Sequence, residues 1–248
     1  VKRMKASRGV CELLGFALAM ASILNTAHAS VAAEAEVISQ ASQIVLVITP
    51  DWGSSRASLQ TFNRVDGHWL PAMAAQPVVI GRAGSAWGLG LHSAQAGKQK
   101  HEGDGRAPAG IFTIGDAFGY AQSLATRLNY LPMSADDYCI DVSDSPLYNQ
   151  IVDARKVGVN AIAGSTEPMR RDLHAEGDLR YRIGFVVGHN IARKPGGGSC
   201  IFAHLWKSES SSTAGCTAMD ESVLREVLDW LDASRHRGAR VAARRQSD

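Results

Sequence analysis

The sequence predicts a mostly β fold, and three observations carry that prediction. Short apolar or alternating runs recur between residues 44 and 206, each bounded by glycine, proline or asparagine, which is how strands and turns are punctuated. An Asp66-Gly67 pair sits between two such runs, a strong hairpin signal. Only two segments carry helical spacing.

Taken in order, the first strand is expected at Ile44–Ile48, a continuous apolar run of strand length. The hairpin joins Leu59–Phe62 to Trp69 and Leu70, and further strands are expected at Val78–Ile80, Ile111–Ile114, Arg182–Val187 and Ser199–Trp206. A weaker helix is expected over Asp116–Leu128 and a stronger one over Glu221–Ser234. In the latter, Val223, Leu224, Val227, Leu228 and Leu231 share one face, and Asp220 is placed to cap its start.

Composition narrows the class of function. At 248 residues and 45% hydrophobic content, one domain with a sizeable core is the simplest division, and a net charge of +2 gives no argument for nucleic acid. Lys2, Arg3, Lys5 and Arg8 precede an apolar run, Leu13–Leu24, and then Ala27-His28-Ala29. That is the order of a secretory signal. The expected division is a signal peptide over 1–29, an Ala/Glu/Ser-rich tether over 30–43, a folded domain over 44–234 and a basic tail over 235–248. An uncleaved anchor is the alternative reading of the first segment. No other stretch is long and apolar enough to span a bilayer, so export to the periplasm or envelope without a stable membrane span is expected. The tail carries Arg235, Arg237, Arg240, Arg244 and Arg245 without an apolar face. It reads as solvated, or as a hold on anionic envelope polymers.

The chemistry concentrates near the end of the domain. Cys216 lies in Thr213-Ala214-Gly215-Cys216-Thr217-Ala218-Met219, between a glycine and the expected start of a helix, where backbone N–H groups and the helix dipole favour a thiolate. His204 lies just upstream, and alternation in a strand puts Cys200, Phe202, His204 and Trp206 on one face, opposite Ile201, Ala203 and Leu205. His204 is the candidate base for Cys216. The N–H groups of Gly215 and Cys216 are candidates for an oxyanion hole. A lone cysteine or strand histidine is more often an inert core residue; their joint occurrence in an exported chain favours catalysis. His101, His174, His189 and His204 have no metal-ligand spacing. The glycine-rich Glu102–Gly110 stretch lacks the lysine and hydroxyl of a phosphate loop.

These residues, together with Glu102-Gly103-Asp104-Gly105-Arg106-Ala107-Pro108-Ala109-Gly110-Ile111-Phe112, Ala117-Phe118-Gly119, Ser145–Asn149, Ile151–Asp153, Gly188-His189-Asn190 and Gly198–Phe202, resemble the L,D-transpeptidases, the YkuD-type cysteine enzymes of peptidoglycan. The likeness runs from Ile44 to Leu231. It implies a β-sandwich-like catalytic fold with a few helices, Cys216 as nucleophile, His204 as base oriented by a backbone carbonyl, and Gly215 in the oxyanion hole. It also implies peptidoglycan stem peptides as the partner and no metal or organic cofactor. Trp206, His189, Asn190, Thr213 and Ala218 are the candidates for lining the substrate groove. The usual motif has histidine where this chain has Ala214, and arginine or asparagine where it has Ala218. The gap from His204 to the motif is also shorter. This S-x-G-C-x-A form is similar to a divergent branch associated with links from L-alanine at stem position one to diaminopimelate at position three.

Four cysteines are present, and Cys11 falls within the signal. With Cys216 kept reduced as the nucleophile, Cys139 and Cys200 are the natural disulfide pair in an oxidising compartment. Two other readings stand beside cross-linking: an amide hydrolase of the wall using the same Cys/His pair, and a wall-binding protein without turnover.

Overall fold

The computed structural model describes residues 35–234 and 240–245; the proposed signal segment and Cys11 lie outside them. Among the described residues the chain is mostly β, with fourteen strands and a few short helices. Helix α1 (35–39) leads into β1 (Gln43–Thr49). The end of the expected tether therefore belongs to the fold. Gln43 is buried, its side chain bonding the Trp230 carbonyl and the Asp232 N–H at 2.8 and 2.9 Å.

β2 (Arg56–Val65) and β3 (His68–Pro71) form the expected hairpin. Asp66 and Gly67 have φ of 49° and 82°, the left-handed pair that a two-residue turn of matching twist requires. β4 (Gln76–Val79), β5 (Ser85–Trp87), β6 (Ala107–Gly119) and β7 (Tyr130–Pro132) follow, and later β11 (Ile183–Val187), β12 (Phe202–Leu205) and β13 (Thr217–Met219). Together with β14 (Arg240–Arg245), all belong to one mixed sheet in the order β1-β14-β6-β11-β12-β13-β4-β2-β3, which an added β1–β2 pairing closes into a ring. Its facing walls pack their inner side chains together, from Val45 and Leu59 to Phe112, Phe185, Ala203 and Met219.

Helix α4 (Glu221–Trp230) contributes Val223, Leu224, Val227 and Leu228 to that same core. Asp220 caps it, accepting from the Ser222 N–H at 2.9 Å. Outside the ring, β8 (Asp137–Cys139), β9 (Ile151–Asp153) and β10 (Glu167–Pro168) make a small second sheet in the order β10-β8-β9. Two single-turn helices, α2 (Ala154–Val157) and α3 (Arg171–His174), lie on either side of β10 in sequence. Among the described residues no helix is long and apolar enough to cross a membrane.

Three expectations change. The weaker helix over Asp116–Leu128 does not form: Asp116–Gly119 completes β6, where Ala117, Phe118 and Gly119 pair with both β11 and β7. Two ladders and a fully buried Phe118 outweigh a faint helical spacing. Part of the basic tail is strand β14 (Arg240–Arg245), parallel to β1 and antiparallel to β6. Without it the facing backbone edges of β1 and β6 lack those partners. Finally, Cys216 does not abut a helix, because β13 intervenes before α4.

Candidate functional site

Cys216 is placed by a tight turn ahead of β13. The Thr213 hydroxyl donates to the Cys216 carbonyl at 2.7 Å and accepts from the Gly215 N–H at 3.1 Å. Glycine is required at 215 because a Cβ there would sit 2.8 Å from the Arg106 carbonyl oxygen. The glycine-rich Glu102–Gly110 stretch therefore packs directly on the cysteine turn. Of the two expected oxyanion donors, the Gly215 N–H is engaged with Thr213, which leaves the Cys216 N–H.

β12 and β13 are parallel neighbours, with His204 opposite Ala218 and Ala203 opposite Thr217. One step earlier Cys216 meets Phe202, whose N–H donates to the sulfur at 3.3 Å. Cys216 and His204 thus share a face, as alternation requires. Ile201, Ala203 and Leu205 face the inner core, while Cys200, Phe202 and Cys216 pack with Phe118, Met133, Met169 and Tyr181 on the other side. His204 Nδ1 lies 2.8 Å from the Leu205 carbonyl oxygen. A carbonyl only accepts, so Nδ1 carries the proton and Nε2 is the basic nitrogen. The thiol donates to the Cys200 carbonyl at 3.4 Å, and its described hydrogen bonds go to backbone rather than to the imidazole.

The pair is buried, at 8% exposure for Cys216 and 3% for His204. Burial pushes the thiol up to about 12, with the charge of Glu167 adding to the effect. It pushes the imidazole down to about 4, against the opposing bond to Leu205. The thiol and the imidazole, on one face of neighbouring strands, are both neutral at rest. This corrects the expectation of a thiolate favoured by a helix end: the helix is one strand away and desolvation dominates.

Cys139 and Cys200 form a disulfide, and Cys216 is free. The bridge ties β8 of the small sheet to the residue whose carbonyl accepts the hydrogen bond of the Cys216 thiol. Cys200 has a φ of 53°, a strained conformation for a side-chain-bearing residue, and it is held from several directions. The Asn149 carboxamide oxygen accepts from its N–H at 2.9 Å, while the Asn149 amide donates to the His189 and Asn190 carbonyls at 2.9 Å each. Ser199 donates to Glu102 at 2.6 Å, and Tyr148 donates to the same carboxylate. The upstream motif segments thus converge as a brace on the strand that carries His204.

His189 and Asn190, expected to line the groove, are 2% and 1% exposed. The His189 ring accepts from the Leu89 N–H and bonds the Gly197 carbonyl. The Asn190 amide donates to the Lys194 and Gly198 carbonyls. Their polar atoms are engaged with backbone, which makes them loop braces. Ala218 is 1% exposed, opposite His204 on the neighbouring strand, so it has no surface to offer a ligand. Thr213 is half-buried and serves the turn. Trp206 is half-buried at the end of β12 and lines a cleft.

Sequence reasoning missed a charged array beside the pair. The Tyr181 ring stands edge-on to His204 at 5.1 Å and donates its hydroxyl to Glu167 at 2.7 Å. Arg171 bridges Glu167 and Asp178 at 2.8 and 2.9 Å, and Arg180 holds Asp178 at 2.6 Å. Burial opposes ionisation of Asp178, but the two guanidiniums hold it well below the usual carboxylate range. The only trace of this array in the sequence is the density of charge between residues 167 and 182.

No family model and no curated protein matches this sequence. Among solved structures the chain is similar to the helical cell shape determining protein Pgp2 from Campylobacter jejuni, at 14% identity and a TM-score of 0.37. The match covers 83% of this chain and 49% of that one, so the chain spans about half the length of the structure it resembles.

Proposed function

We propose that this protein is an exported L,D-transpeptidase of the cell envelope, joining peptidoglycan stem peptides through a thioester on Cys216. The observation that supports it is the placement of a free cysteine and a histidine on one sheet face, with the histidine held by a backbone carbonyl in the tautomer that leaves Nε2 basic.

In this reading Cys216 Sγ attacks an amide carbonyl of the donor stem as its proton passes to His204 Nε2. The C–N bond breaks, and the leaving amine takes that proton. An amine of a second stem then attacks the thioester, loses a proton to His204 and releases the thiol. The tetrahedral oxygen meets the Cys216 N–H, a donor of a kind that contributes about 3 kcal/mol when well aimed. Because the resting thiol is neutral, His204 acts as a general base during attack, with no preformed ion pair.

The test is mass spectrometry of muropeptides from isolated sacculi incubated with the purified protein. New cross-linked dimers are expected with the wild type, and none with Cys216→Ala or His204→Ala. Trimmed stems without dimers would instead establish the hydrolase. Unchanged sacculi would leave the wall-binding reading, and near wild-type cross-linking by either variant would overturn the Cys/His assignment, since nucleophile and base act as a unit.

A further inference from the structure

The mixed-charge cleft between the start of β11 and the end of β12 has a volume of about 530 Å³, within the range of ligand sites. Three carboxylates line it, and each is already engaged. Asp178 holds Arg171 and Arg180, Glu221 holds Arg182 and Arg225, and Asp220 accepts from the Ser222 N–H and hydroxyl. Of the cations, Arg180 and Arg182 are held by these carboxylates, although Arg182 Nε is buried without a hydrogen-bond partner, and Lys207 is exposed and makes no ion pair among the described residues. The unused capacity of this surface is positive and donating, which suits a carboxylate. Exposed Leu179 and half-buried Trp206 supply an apolar rim.

The cleft also connects to the reacting pair. Leu205 lines it, and the Leu205 carbonyl is what fixes His204 Nδ1. Phe202, whose N–H meets the Cys216 sulfur, lies three to four residues back along the same strand. At about 3.3 Å per residue that is roughly 10–13 Å, the reach of about three residues of extended peptide.

We propose that this cleft binds a free carboxylate of the peptide substrate, with Lys207 and Arg182 as its specificity-determining residues and the attacked carbonyl about three residues away. The assignment rests on the proposed function for the identity of the peptide and of the attacked bond.

Binding is measured by calorimetry on full-length Cys216→Ala protein, with L-alanyl-γ-D-glutamyl-diaminopimelate as probe against the same tripeptide with every carboxylate amidated. The free-carboxylate peptide is expected to bind at least tenfold more tightly. Lys207→Ala and Arg182→Gln should each remove most of that difference, while a surface control, Lys98→Ala, leaves it intact. Equal binding of the two peptides, no binding of either, or a preference untouched by both variants would overturn the assignment. Wild-type protein that shows the preference but leaves sacculi without cross-links would refute the transpeptidase reading and leave the cleft standing.

Discussion

The neutral resting state of the Cys216/His204 pair makes a prediction that can be worked through to a rate. Burial raises the thiol from 9.0 to about 12, so at pH 7 the thiolate fraction falls from about one in a hundred to about one in a hundred thousand. The shift corresponds to about 4 kcal/mol of disfavoured ionisation. The assay is alkylation by iodoacetamide between pH 6 and 10, followed by mass spectrometry of the peptide containing Cys216, with denatured, unreduced protein as reference. In the native protein the rate should climb about tenfold per pH unit across the whole range, without a plateau. At pH 7 it should lie at least about a thousandfold below the denatured chain. Glu167→Gln removes a negative charge that raises the thiol, so it should speed alkylation at every pH. A native plateau starting near pH 7 would show a thiolate–imidazolium ion pair, and the burial argument would fail.

Further outcomes are expected from the groups that brace this pair. Cys139→Ser or Cys200→Ser opens a bridge across a sequence separation of 61, a loss of about 4 kcal/mol in the chain-entropy model. A drop in Tm of roughly 8–16 °C follows for a domain of this size, and an unchanged melting curve counts against the bridge. Burial pushes His204 and His189 down from 6.5 to about 4. The folded state therefore refuses a proton that the unfolded state takes up below 6.5. Stability is complete above that pH and lost as pH falls toward 4, by about 3 kcal/mol per histidine. Urea midpoints that do not move between pH 7 and 4 would contradict it.

What could be read from the sequence follows from how local each feature is. The hairpin at Asp66-Gly67, the Asp220 cap and the alternation that divides Cys200, Phe202 and His204 from Ile201, Ala203 and Leu205 each depend on a few adjacent residues, and each is present in the structure. β14 was hidden because Arg240–Arg245 is an arginine- and alanine-rich run with one Val241. Its pairing comes from the edges of β1 and β6, far away in the chain. The same distinction separates Cys216 from its surroundings. The turn and glycine that present it are local and legible, but its protonation state is set by Phe202, Tyr181 and Glu167, brought in by three different elements. Ala218 carries the point furthest. As a motif letter it reads as a lost substrate contact, yet it lies buried in β13 directly opposite His204. A charged arginine there would have to be accommodated without solvent, against the imidazole. The small apolar neighbour leaves His204 buried and neutral, and on the proposed reading recognition of substrate charge falls to groups outside the motif.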